Sequence, residues 1–426
     1  MTFHPREGRS GNGSGGGAGV SRRAFLAGAT TAGMAAFLAA CGSSSSSSGT
    51  TTTTAPLKSL ALPRPDAPVT WPVYADNAAI ADGLQPEKNA TLKLYNWEAY
   101  INQAVIDNFQ KKYDCKVEVT TFNTMTEAIA KLRSGQFDFD VFVPTVDVLG
   151  QLVGAKLIRP LNHSYIPNIS QNWSEFTNPF YDQNWLYTVP YTIYTTGISW
   201  RKDHVSGSPA DLANGWAFPW QAKYKGKVAV LDDYREGLTL GMMKNGDFDP
   251  NTSDQSVLQA ATQSLLDLDS LVGLHIDNND YTSIPSGQTW IHQAWSGDMA
   301  AAANYMPKGT PVDVVGYWFP ASGVGPVAND TMAVLSSGKN PVLAHLFIDY
   351  FNDLPNVLEN ISFNGYMQPN NGVTEQVLVQ QGILPPTLTS TVVTESMFKA
   401  GTFQLELAPA LDAEYQAAWL RVSGGV

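Results

Sequence analysis

Cysteine is almost absent from this chain, with only Cys41 and Cys115 among 426 residues. At most one disulfide is available, so a folded body has to rest on a buried core. Histidine is scarce too, at six. No HExxH, no GxSxG and no Cys/His ligand cluster occurs, which removes the usual signatures of metal-dependent and serine hydrolases. Charge of either sign is sparse at 15%, and the basic side is the smaller: 26 Lys and Arg stand against 38 Asp and Glu, for a net −12. That balance argues against nucleic acid and anionic lipid surfaces as partners. It is compatible with a cationic ligand without establishing one. No 20–50 residue period is present, which excludes a solenoid. The leading apolar run, Ala24 to Ala40, has 17 residues. It is Ala/Gly-rich and short of the roughly 20 residues of a stable membrane span.

That run belongs to a leader. Ser21-Arg22-Arg23-Ala24-Phe25-Leu26 has the form of a twin-arginine export signal, with Arg22 and Arg23 before a short apolar core. Leu38-Ala39-Ala40-Cys41 resembles a bacterial lipobox, which implies cleavage of residues 1–40 and lipid on Cys41. The mature chain would carry −15 and, with Cys41 lipidated, no pair of cysteines for a disulfide. The alternative is an uncleaved signal anchor. Gly42 to Thr54 is Gly/Ser/Thr low complexity without an apolar face, and reads as a flexible spacer. Residues 41–90 are expected to form lipidated cysteine and linker, with 55–90 either linker or extended surface arm, and the body to start near Thr91.

The body, about 330 residues, is long enough for two lobes. Thr91–Tyr95 and Val117–Phe122 read as strands. Ile101, Val105 and Phe109 recur on one helix face, and Met125–Arg133, Gln255–Leu268 and Pro341–Phe351 read as helices. Phe139–Val143 and Lys227–Leu231 are further short apolar runs. Strands alternating with helices predict an α/β fold with a mainly parallel sheet, whose ligands bind beyond the carboxyl ends of the strands.

Four segments near such positions mix aromatic and acidic residues or supply polar turns. They are Tyr95-Asn96-Trp97-Glu98-Ala99-Tyr100, Val143-Pro144-Thr145-Val146-Asp147, Asp232-Asp233-Tyr234-Arg235-Glu236, and Ala294-Trp295-Ser296-Gly297-Asp298 after a helical-looking stretch. Carboxylates make charge-assisted hydrogen bonds to ammonium groups, and aromatic faces hold a methylene stem and attract the cation.

From about Thr91 to Trp419 the chain resembles the substrate-binding proteins of spermidine/putrescine ABC transporters. The ordered matches are Leu94-Tyr95-Asn96-Trp97 with Tyr100, Asp140-Val141-Phe142-Val143-Pro144, Tyr187-Thr188-Val189-Pro190-Tyr191, Asp232-Asp233-Tyr234-Arg235-Glu236, Trp295-Ser296-Gly297, Pro311-Val312-Asp313-Val314-Val315, Asn364-Gly365-Tyr366 with Pro369-Asn370, and Gln404. The resemblance implies an α/β, two-lobed periplasmic-binding-protein fold of type II, with crossover strands joining the lobes and a ligand cleft between them. Its expected division is 91–197 plus 330–375 for lobe 1 and 198–329 plus 376–426 for lobe 2. It implies ligand contacts from Trp97, Tyr100 and Thr145, and an amine grip from Asp233 and Glu236. Trp295 would be a flat wall with Asp298 beside it, as in putrescine-type members. Asp330 would lie on a returning crossover strand, and Tyr366 and Gln404 would complete the box. The pattern is departed from at Glu98, Asp147 and Ala328. Glu98 and Asp147 are added to the candidate set. Ala328 stands where a further Trp wall would align, a loss of about 1 kcal/mol of stacking.

The implied protein is a monomeric, lipid-anchored receptor on the outer face of the bacterial cytoplasmic membrane. It takes a polyamine, closes, and is read by an ABC permease, with no cofactor, no metal and no catalysis. Each residue also has a structural reading. Asp233 and Glu236 have the spacing of a capping box, Asp147 could cap the next helix, Asp330 could anchor the hinge, Glu98 could face water, and the Trp and Tyr residues could be core. Two other functions stay open: the same fold binding a sugar or other amino compound, and a secreted carboxylate-pair hydrolase.

Overall fold

The computed structural model describes residues 61–424. Arg22, Arg23, Cys41 and the low-complexity spacer lie outside the described residues.

Strand β1 (Thr91–Trp97) pairs in parallel with β2 (Lys116–Phe122), Leu92 opposite Val117 and Trp97 opposite Phe122. A parallel pair requires a crossover, and the helix Gln103–Tyr113 provides it. Asn102 caps that helix by accepting from the Ala104 N–H, and left-handed Asp114 ends it. The helix Met125–Arg133 starts in the same way, with the Thr124 side chain accepting from Glu127 N–H, and leads to β3 (Val141–Phe142), parallel to β1.

Strand β4 (Thr188–Arg201) is the longest of the described strands at 14 residues. β5 (Val228–Val230), β6 (His275–Ile276), β7 (Ile291–Trp295), β8 (Val315–Trp318), β9 (Pro326–Val334) and β10 (Thr402–Phe403) complete the sheet. Its order is β2-β1-β3-β9-β4-β7-β5-β6, with β10 on β9 and β8 on β4. The first half of β4, Thr188 to Thr195, pairs antiparallel with β9, and the second half, from Thr196, pairs with β7 and β8. β4 thus passes from one lobe into the other, and β9 returns beside it. The fold is the two-lobed α/β arrangement of periplasmic binding proteins. The residues before Ala294 differ from their helical-looking pattern: Ile291–Trp295 is a strand that follows the short helix Asp280–Ser286.

Side-chain alternation along β1 builds a core on each face of the first lobe's sheet. Leu92 and Leu94 pack with Val105, Phe109, Phe347 and Phe351, whereas Tyr95 packs with Phe122, Phe139, Phe142 and Leu149. The second lobe has its own core around Val228, Leu265, Ile291 and Val315, joined by Val357 and Ile361 of the helix Leu354–Asn364.

Of the two readings of residues 55–90, linker or extended surface arm, the described residues 61–90 take the second. They form a strap on the first lobe. Val69 and Trp71 are buried in its core, and the Trp71 indole donates to the Tyr181 carbonyl at 2.8 Å. Asn77 donates to the Ile158 carbonyl at 2.8 Å. Glu87 accepts from the N–H groups of Val342 and Leu343, where the helix Pro341–Phe351 begins. Proline and the absence of any repeating apolar pattern hide this segment in the sequence, because its partners are distant.

Candidate ligand cleft

The polar residues of interest converge where β1, β3, β5 and β7 end and where β4 and β9 cross between the lobes. From β9, Asp330 is buried, its Oδ2 accepting from the Tyr100 hydroxyl at 2.7 Å and from Thr192 of β4 at 3.3 Å. Its Oδ1 is buried without a partner. Thr145 bridges to Asp330 along the backbone. Burial pushes the Asp330 carboxyl up to about 7, and the Asp147 charge adds to this. Asp330 therefore ties β9 to β4 and to the turn after β1, with one oxygen left without a partner.

Asp233 and Glu236 divide their tasks. Asp233 is the N-cap of the helix Tyr234–Lys244, accepting from the N–H groups of Arg235 at 2.8 Å and Glu236 at 3.0 Å. Glu236 makes no return bond to Asp233, so the reciprocal capping box is not formed. Its Oε1 accepts instead from Thr196 at 3.0 Å and from the Trp295 indole at 3.3 Å, while Oε2 is buried and unpartnered. Burial, then the neighbouring Asp233, push the Glu236 carboxyl up to about 7. Gln404 approaches closely enough to ease that charge, although its Nε2 makes no hydrogen bond of good geometry.

Asp147 does not cap the helix Leu149–Gly154, whose cap position is Val148. It lies in the preceding turn, half-buried, and its charge raises the carboxyl groups of Asp233 and Asp330.

A second acidic group lies along Trp295. Its backbone N–H donates to Asp280 Oδ2 at 3.2 Å, and Asp280 is fully buried with Oδ1 unpartnered. Asp298, on the helix Ser296–Ala300, is beside it. Burial raises both, repulsion from Asp298 raises Asp280 further, and the Tyr366 hydroxyl supports the Asp298 charge. Two carboxyl groups so placed share one proton. The Tyr366 ring lies over Gly297, where an added Cβ would be 2.3 Å from the ring, and meets Tyr100 edge-on at 4.9 Å. Glycine in Trp295-Ser296-Gly297 is thus required by the close approach of that ring.

Of the expected residues, Tyr100, Thr145, Asp147, Asp233, Glu236, Trp295, Asp298, Asp330, Tyr366 and Gln404 come together. Trp97 and Glu98 are more peripheral. Trp97 is half-buried on Phe122 at 4.6 Å with its indole N–H unpartnered. Glu98 is exposed, and its charge acts on the Tyr281 phenol. His292 is a fully buried packing residue whose ring bonds the Gln293 carbonyl and contacts Asp277.

The family profile described as bacterial extracellular solute-binding protein matches residues 104–386. The chain belongs to that family. This extracellular solute-binding protein is 29% identical over 265 residues to spermidine/putrescine-binding periplasmic protein 1 of Haemophilus influenzae, covering 62% of this chain and 70% of the relative. It is 25% identical to the putrescine-binding periplasmic protein PotF of Escherichia coli, over 82% of this chain and 95% of that one. Among solved structures, PotD of Streptococcus pneumoniae, a spermidine/putrescine ABC transporter substrate-binding protein, superposes with TM-score 0.65 at 21% identity, covering 79% of this chain and 99% of that one. The TpPotD lipoprotein of Treponema pallidum gives 0.66 at 22%, over 78% and 99%. A solute-binding family supports capture over turnover.

Two residues of this solute-binding protein's cleft escape sequence reasoning. Asp280 follows two asparagines and looks like a helix start. Tyr194 lies between Thr192 and Thr196 in a strand buried on both faces, where period-two alternation from Asp330's partner Thr192 is the one signal that would find it.

Proposed function

We propose that this protein is the receptor of an ABC importer for a polyamine, putrescine or spermidine, held between the lobes and delivered to a membrane permease. The observation that carries the reading is the pair of acidic ends joined by Trp295. Glu236 and Asp330 each offer one buried, unpartnered oxygen at one end, and the proton-sharing pair Asp280 and Asp298 carries the negative charge at the other. An unpaired buried carboxylate is costly, and an ammonium donor relieves it. A neutral sugar calls for mixed donors and acceptors, and an anion would be repelled. The spermidine/putrescine- and putrescine-binding relatives agree with this chemistry.

Trp97, Glu98, Tyr100, Thr145, Asp147, Asp233, Glu236, Trp295, Asp298, Asp330, Tyr366 and Gln404 form the proposed contact set. The lobes comprise 91–197 with 330–375 and 198–329 with 376–426, and contacts from both favour the closed state. Export follows the twin-arginine signal at Arg22 and Arg23, lipid on Cys41 anchors the monomer to the outer face of the cytoplasmic membrane, and the spacer lets the body reach the permease.

The test is thermal unfolding of the mature body with putrescine, spermidine, spermine, an amino acid and a disaccharide. A ligand at a hundredfold over its Kd stabilises by about 2.7 kcal/mol. A shift with a polyamine that disappears in Asp233→Asn, Glu236→Gln supports the reading. A shift with the disaccharide or the amino acid alone overturns it.

A further inference from the structure

Tyr194 lies directly opposite Ala328 in the β4–β9 register, two residues from the pairing of Thr192 with Asp330. Side chains at alternate positions share a sheet face. Thr192 bonds Asp330 and Thr196 bonds Glu236, so Tyr194 lies between them on the cleft face. Its ring meets Tyr366 edge-on at 5.6 Å and 85°. The charges of Asp330, Glu236, Asp147 and Asp233 all bear on its phenol. A cross-strand pair brings Cβ atoms to about 5 Å, so the small Ala328 leaves the space beside the Tyr194 ring on the cleft face without a second bulky side chain.

We infer that Tyr194 is the central aromatic plate of the cleft, a specificity-determining residue that packs against the ligand stem while its hydroxyl lies in the field of the surrounding carboxylates. Ala328, opposite it, leaves the aromatic surface at this point to Tyr194 alone. The inference rests on the polyamine reading of the cleft and adds a contact from the hinge strand itself. A ligand touching Tyr194 also touches the element that passes between the lobes, so binding and closure share a residue. The hydroxyl and the ring have separable effects. The hydroxyl lies in the field of the surrounding carboxylates, and the ring would exclude water from the stem.

Isothermal titration with putrescine and with spermidine is the test, on wild type, Tyr194→Phe, Tyr194→Ala and the double variant Tyr194→Ala, Ala328→Trp, with unbound unfolding midpoints measured to establish folding. Loss of the ring is expected to weaken binding at least tenfold and loss of the hydroxyl about threefold. The double variant, which moves the aromatic mass one strand across, is expected to recover part of the affinity and to change the putrescine-to-spermidine ratio. Binding by Tyr194→Ala within twofold of wild type for both ligands overturns the role of Tyr194 and leaves the polyamine reading intact. Should Tyr194→Ala fail to fold, an unchanged affinity in Tyr194→Phe together with an unchanged putrescine-to-spermidine ratio overturns it. Failure of the wild type itself to bind either polyamine overturns the site reading, and the inference with it.

Discussion

Lowering the pH from 8 to 6 should weaken polyamine binding by up to about a hundredfold, with the carboxyl groups and not the ligand responsible. Glu236 and Asp330 are buried and pushed up to about 7 each. An alkylammonium, with a pKa near 10, keeps its charge across this range. Each carboxyl must be ionised to pair with an ammonium. At pH 6 a group titrating near 7 is about nine-tenths protonated, and ionising it costs about 1.4 kcal/mol; two such groups together cost about 2.7 kcal/mol. At pH 8 both are mostly ionised and the cost nearly vanishes. Titration calorimetry in buffers of different ionisation heat reads this directly, since binding at pH 6 should release about two protons and binding at pH 8 almost none. An affinity that is flat or tighter at pH 6, or no proton release there, would refute the argument that unpartnered acids drive recognition.

The same groups set the stability of the unliganded protein. A carboxyl raised in the folded state contributes stability that is present in full below its unfolded value near 4 and lost as pH rises through about 7. The unbound midpoint should therefore fall between pH 5 and pH 8, with a polyamine narrowing the difference; a midpoint that rises over this range contradicts it. Gly297→Ala forces a Cβ into the Tyr366 ring, so the ring must move away from Asp298. A polyamine Kd at least tenfold higher, with the far-ultraviolet spectrum preserved, is expected from titration. Trp71→Ala removes a buried ring and its bond to Tyr181, and denaturant unfolding should show a loss of about 3–5 kcal/mol. A loss under 1 kcal/mol would mean that the strap is not anchored there.

Local chemistry made much of the fold legible. Met125–Arg133 and Pro341–Phe351 read from the sequence with the bounds they have in the structure, because capping residues and a proline at the first turn mark helix starts. The acids and aromatics of the four loop segments were legible because turns after strands expose polar groups where ligands bind. The roles of paired residues were less so. The spacing of Asp233 and Glu236 fits a cap and a ligand grip equally, and only the partners Thr196 and Trp295 separate the two.

By itself the sequence determined the periods that make strands and helices, the acidic balance and the composition of the cleft, since these depend on neighbours along the chain. Tertiary structure alone decided that Tyr194 faces Ala328 across two hinge strands, that Asp280 joins Asp298, and that residues 61–90 strap the first lobe. Each of these depends on register or on burial between residues far apart in sequence, and register is set by the packing of whole faces.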